Sequence, residues 1–196
     1  MSRVNGKPVA PHGSWLDTCR AAGVDVPAMC ADDALAPGGH CRACLIEVDG
    51  RLVPACSTPA RAGAIAVTDS AALREYRRDL GELMLSEARP RALAAKRIVE
   101  WGADGTRYAR REGPATSDHT HHYLRFDAER CILCRRCVRT CAAVGRFVFA
   151  IEGRGAASRL AFGGAPLSAS ACDACGACIP ECPAEAITLA VAPAGR

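Results

Sequence analysis

Thirteen cysteines stand in 196 residues, far above ordinary usage, and twelve of them fall into three groups of four. Cys131, Cys134, Cys137 and Cys141 are spaced C-x2-C-x2-C-x3-C, and Cys172, Cys175, Cys178 and Cys182 repeat that spacing with Pro183 after the last. Three thiolates set two residues apart can wrap three corners of an iron–sulfur cubane, with the fourth ligand supplied by the other repeat. This exchange assigns one [4Fe–4S] site to Cys131, Cys134, Cys137 and Cys182, and the other to Cys172, Cys175, Cys178 and Cys141. A tetrahedral zinc does not need so many close donors. Pro183 fixes the turn by which the chain leaves one site for the next, whereas Ala142 stands at the matching place in the first repeat and constrains it less.

Cys30, Cys41, Cys44 and Cys56 form a different quartet, C-x10-C-x2-C-x11-C. A wrapping loop plus one distant strand end can give two irons their four thiolates. Gly38 and Gly39 let the backbone fold tightly and aim N–H groups at sulfide. A [2Fe–2S] site is the reading these features favour. Structural zinc is the rival, although zinc ribbons usually pair two close C-x2-C knuckles and only Cys41 and Cys44 are a close pair here. Cys19 lies outside the quartets and needs no role beyond a small buried hydrophobe.

The elements that must position these groups separate into two ends. Between Cys56 and Cys131 lie 74 residues without a cysteine. Before them, Ser14 and Asp17 cap a short helix closed by Gly23, Leu45 to Val48 and Arg51 to Ala55 form a hairpin across Asp49-Gly50, and Ile65 to Val67 adds a strand. This suits an α+β module over residues 1–69. A connector follows over 70–118, with Leu73, Tyr76, Leu80, Leu83 and Met84 at helical steps, then a second helix opened by Pro90 through Leu93, Ile98 and Trp101. Its charged residues read as solvated helix faces, and 102–120 as loop. The last module, 119–196, carries short strand candidates at Tyr123 to Phe126, Val148 to Ile151, Arg159 to Phe162 and Ala186 to Leu189. The two cysteine repeats are its organising feature.

A net charge of +4, from 25 basic and 21 acidic residues, is too mild to imply nucleic acid. No run approaches a membrane span, and MSRVNGKPVAPHGSW lacks the apolar core of a signal peptide. A cytoplasmic, reducing setting is therefore expected, one in which clustered thiols serve as metal ligands rather than disulfides. Arg130, Arg135, Arg136 and Arg139 crowd the first C-terminal repeat, where positive charge raises a cluster's potential unless these side chains face solvent. His119, His121 and His122 have no thiolate alongside and read as linker residues.

SWLDTCRAAGVDVPAMC, GGHCRACLIEVDG and VPACSTPARAG resemble the plant-type ferredoxin domain at the front of the large iron–sulfur subunit of complex I, and of related NAD-linked formate dehydrogenases and hydrogenases. The long gap after Cys30 departs from the C-x4-C-x2-C of plant ferredoxins and is similar to the complex I variant. FAIEGRG and RLAFGGAPLSASAC, within the 30 residues between Cys141 and Cys172, resemble the dicluster domain of the same family. The resemblance implies a plant-type [2Fe–2S] (β-grasp) domain, a helical connector and a bacterial-type 2[4Fe–4S] ferredoxin-like domain. The family's connector usually carries a further cluster on one histidine and three cysteines. The corresponding LSEARPRALAAKRIVEWGADGTRY contains no cysteine.

No Gly-rich dinucleotide fingerprint and no flavin, molybdenum or nickel pattern is evident, so no catalytic residue is expected. The resemblance implies a relay subunit of a hetero-oligomer, passing electrons between a flavoprotein of NADH-dehydrogenase type and a molybdenum or tungsten formate dehydrogenase or nickel–iron hydrogenase subunit. A free-standing, diffusible multi-cluster ferredoxin is the alternative. Without the histidine-ligated cluster, either the two modules approach closely or a partner's cluster fills the gap.

Overall fold

Strands β1 (Ser2–Val4) and β2 (Lys7–Val9) open the chain as a hairpin in the computed structural model, which describes residues 1–111, 116–163 and 166–190. Val4 pairs with Lys7 across Asn5-Gly6, both left-handed at φ 50° and 79°, the two-residue turn that matches strand twist. Helix α1 (Trp15–Ala21) follows, and the expected capping box is present: the Ser14 hydroxyl accepts from the Asp17 N–H while the Asp17 carboxylate accepts from the Ser14 N–H. Strands β3 (Leu45–Val48) and β4 (Arg51–Pro54) form the expected hairpin, with Asp49 and Gly50 again left-handed. The strand ends at Pro54 because Ala55 to Ser57 wind into a single 3-10 turn bearing Cys56. β5 (Ile65–Val67) runs parallel to β1 and antiparallel to β3, giving the sheet order β2-β1-β5-β3-β4. Trp15, Leu16 and Cys19 pack from α1 against Val4, Ile46 and Ala66 of the sheet, all buried. One helix across a mixed five-stranded sheet is the α+β ferredoxin-like arrangement.

The connector contains α2 (Ala71–Glu87), capped by Ser70, and α3 (Ala92–Glu100). Arg77, buried on α2, donates to the carbonyls of Leu45 and Thr68 and so fastens the connector to the first module. Pro90 does not begin the second helix. The Arg91 N–H is used on the Ala184 carbonyl, and the helix starts one residue later. From 102 to 120 the described residues form no helix or strand, apart from a bridge between Asp118 and Phe126; residues 112–115 of that expected loop lie outside the description. Glu82 is fully buried, and its carboxylate accepts the N–H groups of Asp104 and Arg107, so this loop closes on a protein group.

In the last module β6 (Leu124–Phe126) leads through the first cysteine repeat into α4 (Arg136–Ala143), then a hairpin of β7 (Ala150–Glu152) and β8 (Arg159–Ala161), and finally β9 (Ile187–Leu189), which returns antiparallel to β6. Residues 164–165 of the long insertion and 191–196 of the expected domain lie outside the description. Strand β7 starts two residues later than the pattern suggests. The Val148 N–H is directed at the Cys141 sulfur, 3.3 Å away, and Val148 and Phe149 face the core rather than a ladder. Among the described residues no helix is long and apolar enough to cross a membrane.

Candidate metal centres

The N-terminal quartet is built by the loop after α1 and the 3-10 turn after β4. Cys30, Cys44 and Cys56 are buried and Cys41 is half-buried. Their thiols are mutual neighbours, Cys30 with Cys41 and Cys56, and Cys44 with Cys56. These contacts hold the Cys30 thiol far below its ordinary range and bring Cys44 down to about 7, while the same contacts and burial push the Cys41 and Cys56 thiols well up, so the group shares its protons. Backbone N–H groups of Cys41 and His40 add to the stabilisation of a Cys30 thiolate, and that of Gly39 does so for Cys56. Gly39 is left-handed at φ 62°, a conformation that favours glycine, and a Cβ at Gly38 would meet the exposed His40 ring at 2.6 Å, so that ring would have to shift.

The C-terminal cysteines line two separate cavities. Cys131, Cys134, Cys137 and Cys182 stand around one of about 370 Å³, walled by Phe126, Ile132, Ile151, Leu160 and Ile187. Cys172, Cys175, Cys178 and Cys141 stand around another of about 300 Å³, walled by Leu124, Val144, Val148 and Phe149. Each set therefore contains three cysteines of one repeat and the last of the other. Among the described residues no three His, Cys, Asp or Glu groups converge as a single metal ion would require.

The repeat extends to the backbone. Leu133 and Ala174, each just before the second cysteine, are left-handed at φ 53° and 59°, and Arg135 and Gly176, just after it, at 63° and 73°. Alternation of this kind turns successive N–H groups toward one point and makes a nest for an anion. The Leu133 and Arg136 N–H groups point at Cys131 and Cys134. Each remote cysteine also receives an N–H, Cys141 from Val148 at 3.3 Å and Cys182 from Ala186 at 3.1 Å, and the residue before each donor, Phe147 or Glu185, is left-handed. That donor lies seven residues beyond Cys141 but only four beyond Cys182. With Ala142 in place of a proline, α4 runs on through Ala143, whereas Pro183 stops the chain at once.

Burial pushes four thiols of this module up, Cys131 and Cys178 to about 12, Cys134 to about 11, and Cys137 well above its ordinary value. Such thiols ionise only beside a compensating positive charge, which coordinated iron provides. The donor set, the inward N–H groups and the apolar walls fit an iron–sulfur cluster. Cys19 is fully buried in the first core and its thiol is raised to about 11 by burial alone. His119 and His122 are exposed; His121 is buried, and its Nδ1 accepts the N–H groups of Tyr123 and Leu124, a turn-forming role. Of the twelve grouped cysteines only Cys175 is exposed, in the cavity that Val144 also lines.

The two ends meet. Met29 and Ala43, beside the N-terminal quartet, share one apolar seam with Ala94 and Ile98 of α3 and with Ala184, and Cys41 and Cys182 both pack against it. The Ala94 N–H donates to the Pro183 carbonyl at 2.8 Å, so the first turn of α3 holds the segment that carries Cys182. The sequence leaves Arg136 and Arg139 either a solvent-facing or an electrostatic role. Arg135 is exposed, but Arg136 is buried and Arg139 half-buried, and both reach the N-terminal module.

Comparison with known proteins follows the same division. A 2Fe-2S iron-sulfur cluster binding domain model matches residues 3–71, and 4Fe-4S binding domain models match 123–147 and 165–188. The chain is 30% identical to the NADP-reducing hydrogenase subunit HndD of Solidesulfovibrio fructosivorans over 94% of its own length and 35% of that protein. It is 27% identical to an NADH-quinone oxidoreductase subunit of Rhizobium meliloti over 88% of its length and 22% of that protein. It thus spans about a third or less of the curated relatives it matches. A chain in the crystal structure of an NAD+-reducing [NiFe]-hydrogenase in the H2-reduced state superposes with a TM-score of 0.89 at 28% identity, covering 100% of this chain and 89% of that one.

Proposed function

We propose, from the premise that this chain belongs to the iron–sulfur subunits shared by complex I and NAD(P)-linked hydrogenases and formate dehydrogenases, that it is an electron relay with three clusters. Cys30, Cys41, Cys44 and Cys56 hold a [2Fe–2S] cluster. Cys131, Cys134, Cys137 and Cys182 hold an inner [4Fe–4S] cluster, and Cys172, Cys175, Cys178 and Cys141 an outer one. When bound, such clusters supply reversible electron storage at potentials that the surrounding charge and hydrogen bonds set. The protein's part is to ligate, to exclude water and to fix spacing.

The observation that carries this reading is the shared seam. Cys41 and Cys182 pack against the same apolar group, so the N-terminal quartet adjoins the inner C-terminal quartet, with the outer one beyond it. This supports the first of the two expected ways of doing without a histidine-ligated cluster, close approach of the modules. The outer quartet reaches the surface through Cys175 and is the natural contact for a partner. The partners we propose are an NAD(H)-oxidising flavoprotein on one side and a hydrogenase or formate dehydrogenase catalytic subunit on the other.

Purification of the native assembly tests this. A complex containing FMN and a second metal-bearing subunit is expected. Elution of the chain alone near 20.5 kDa, with neither, would overturn the subunit reading in favour of a diffusible carrier.

A further inference from the structure

The ten residues between Cys30 and Cys41 are six more than a plant-type ferredoxin spends on that gap. Two arginines of α4, one turn apart and on either side of Cys137, take hold of them. Arg139 donates to the carbonyl of Cys30 itself and to that of Ala36 at 2.5 Å. Arg136 reaches the Asp32 carboxylate at 2.5 Å and the Glu181 carboxylate, beside Cys182, at 2.8 Å. The Arg136 side chain is only 9% exposed, and Nε of each arginine is buried with no hydrogen-bond partner among the described residues. These guanidinium groups are desolvated for what their outer nitrogens hold. A Cβ at Gly38 would lie 3.3 Å from Cζ of Arg139, so the strap follows the arginine closely.

Resting on the relay reading above, we propose that residues 31–40 are a docking strap and that Arg136 and Arg139 are positioning residues, which fix the N-terminal cluster against the inner C-terminal one and hold its potential up. The two arginines act differently. Arg136 stands between two carboxylates that share its charge, one on the strap and one beside Cys182, and so works as a spacer between the two sites. Arg139 has only carbonyls as partners among the described residues and places its positive charge on a peptide of the N-terminal quartet. Reduction adds negative charge, so that placement favours the reduced cluster.

The test uses the holoprotein and the variants Arg139→Gln, Arg139→Lys and Asp32→Asn. Three readouts are followed: iron content, the potential of the [2Fe–2S] signal in a redox titration, and the magnetic interaction of that signal with the neighbouring reduced cluster. In Arg139→Gln the potential should fall and the interaction weaken with iron retained. Lysine, which keeps the charge, should restore most of the potential. Asp32→Asn removes a negative charge from the same strap, so it should weaken the interaction while moving the potential the opposite way. If Arg139→Gln loses iron, Asp32→Asn carries the same two readouts. Unchanged potential and unchanged interaction in Arg139→Gln, or in Asp32→Asn where Arg139→Gln loses iron, would overturn the proposal. A wild-type protein with no [2Fe–2S] signal would instead overturn the relay reading beneath it.

Discussion

The two modules draw on their ligand cysteines to different degrees in building their cores. In the N-terminal module Val4, Trp15, Leu16, Ile46, Val48 and Ala66, drawn from one helix and a five-stranded sheet, make up most of the core, and the ligand cysteines Cys44 and Cys56 join it. The C-terminal module has two separate two-stranded sheets, and its core is built around Cys141 and Cys178 with Cys131, Cys137, Cys172 and Cys182 packed against it. One module builds most of its core from a helix and a sheet and includes two of its four ligand cysteines; the other has six of its eight in or against the core. Where binding energy supplies folding energy, loss of the metal is loss of structure.

The largest effect should come from Cys182→Ser. This residue lines the inner cavity while Cys172, Cys175 and Cys178 of the same repeat line the outer one, so the substitution should release iron from both C-terminal sites. Amide exchange should then rise throughout residues 119–190, while the sheet of residues 2–67 keeps its protection. Equal loss of protection in both modules would break the comparison. Trp15→Ala approaches it from the other side. Trp15 is fully buried, and truncating such a side chain costs about 3–5 kcal/mol. A urea melt should show that loss in the N-terminal module, with C-terminal iron content unchanged.

A smaller effect sharpens the same contrast. Ser14→Ala removes the cap of α1 and should cost about 1 kcal/mol, confined to the first module. The Ser14 hydroxyl and N–H also hold the Asp17 carboxyl below its usual range. A carboxyl whose folded value is depressed gives stability that is complete above its unfolded value, 3.8, and disappears as pH falls through the lower folded one. Urea midpoints measured on the way to acid should show that slope in the wild type and a weaker one in Ser14→Ala.

The ligand spacing, the capping box and the Asp49-Gly50 hairpin are legible in the sequence because each is local: a few residues state the geometry they need. The hairpin at Asn5-Gly6 has the same turn chemistry, but its strands are three residues each, too short for alternation to mark them. Strand β7 begins later than its pattern suggests because Val148 and Phe149 look like ladder residues, whereas the Val148 N–H serves a sulfur. Arg136 and Arg139 mark the limit more clearly. Their positive charge beside the cysteines is written in the motif, but their partners lie about a hundred residues earlier, and only folding brings them together. The seam of Met29, Ala43, Ile98 and Ala184 is hidden for the same reason, since small apolar residues carry no sign of what they will face.

The central claim is that twelve cysteines hold one [2Fe–2S] and two [4Fe–4S] clusters. Iron and acid-labile sulfide, measured per chain on anaerobically purified protein, test it most directly. About ten of each are expected from that cluster set. A colourless protein carrying zinc and no labile sulfide would contradict it.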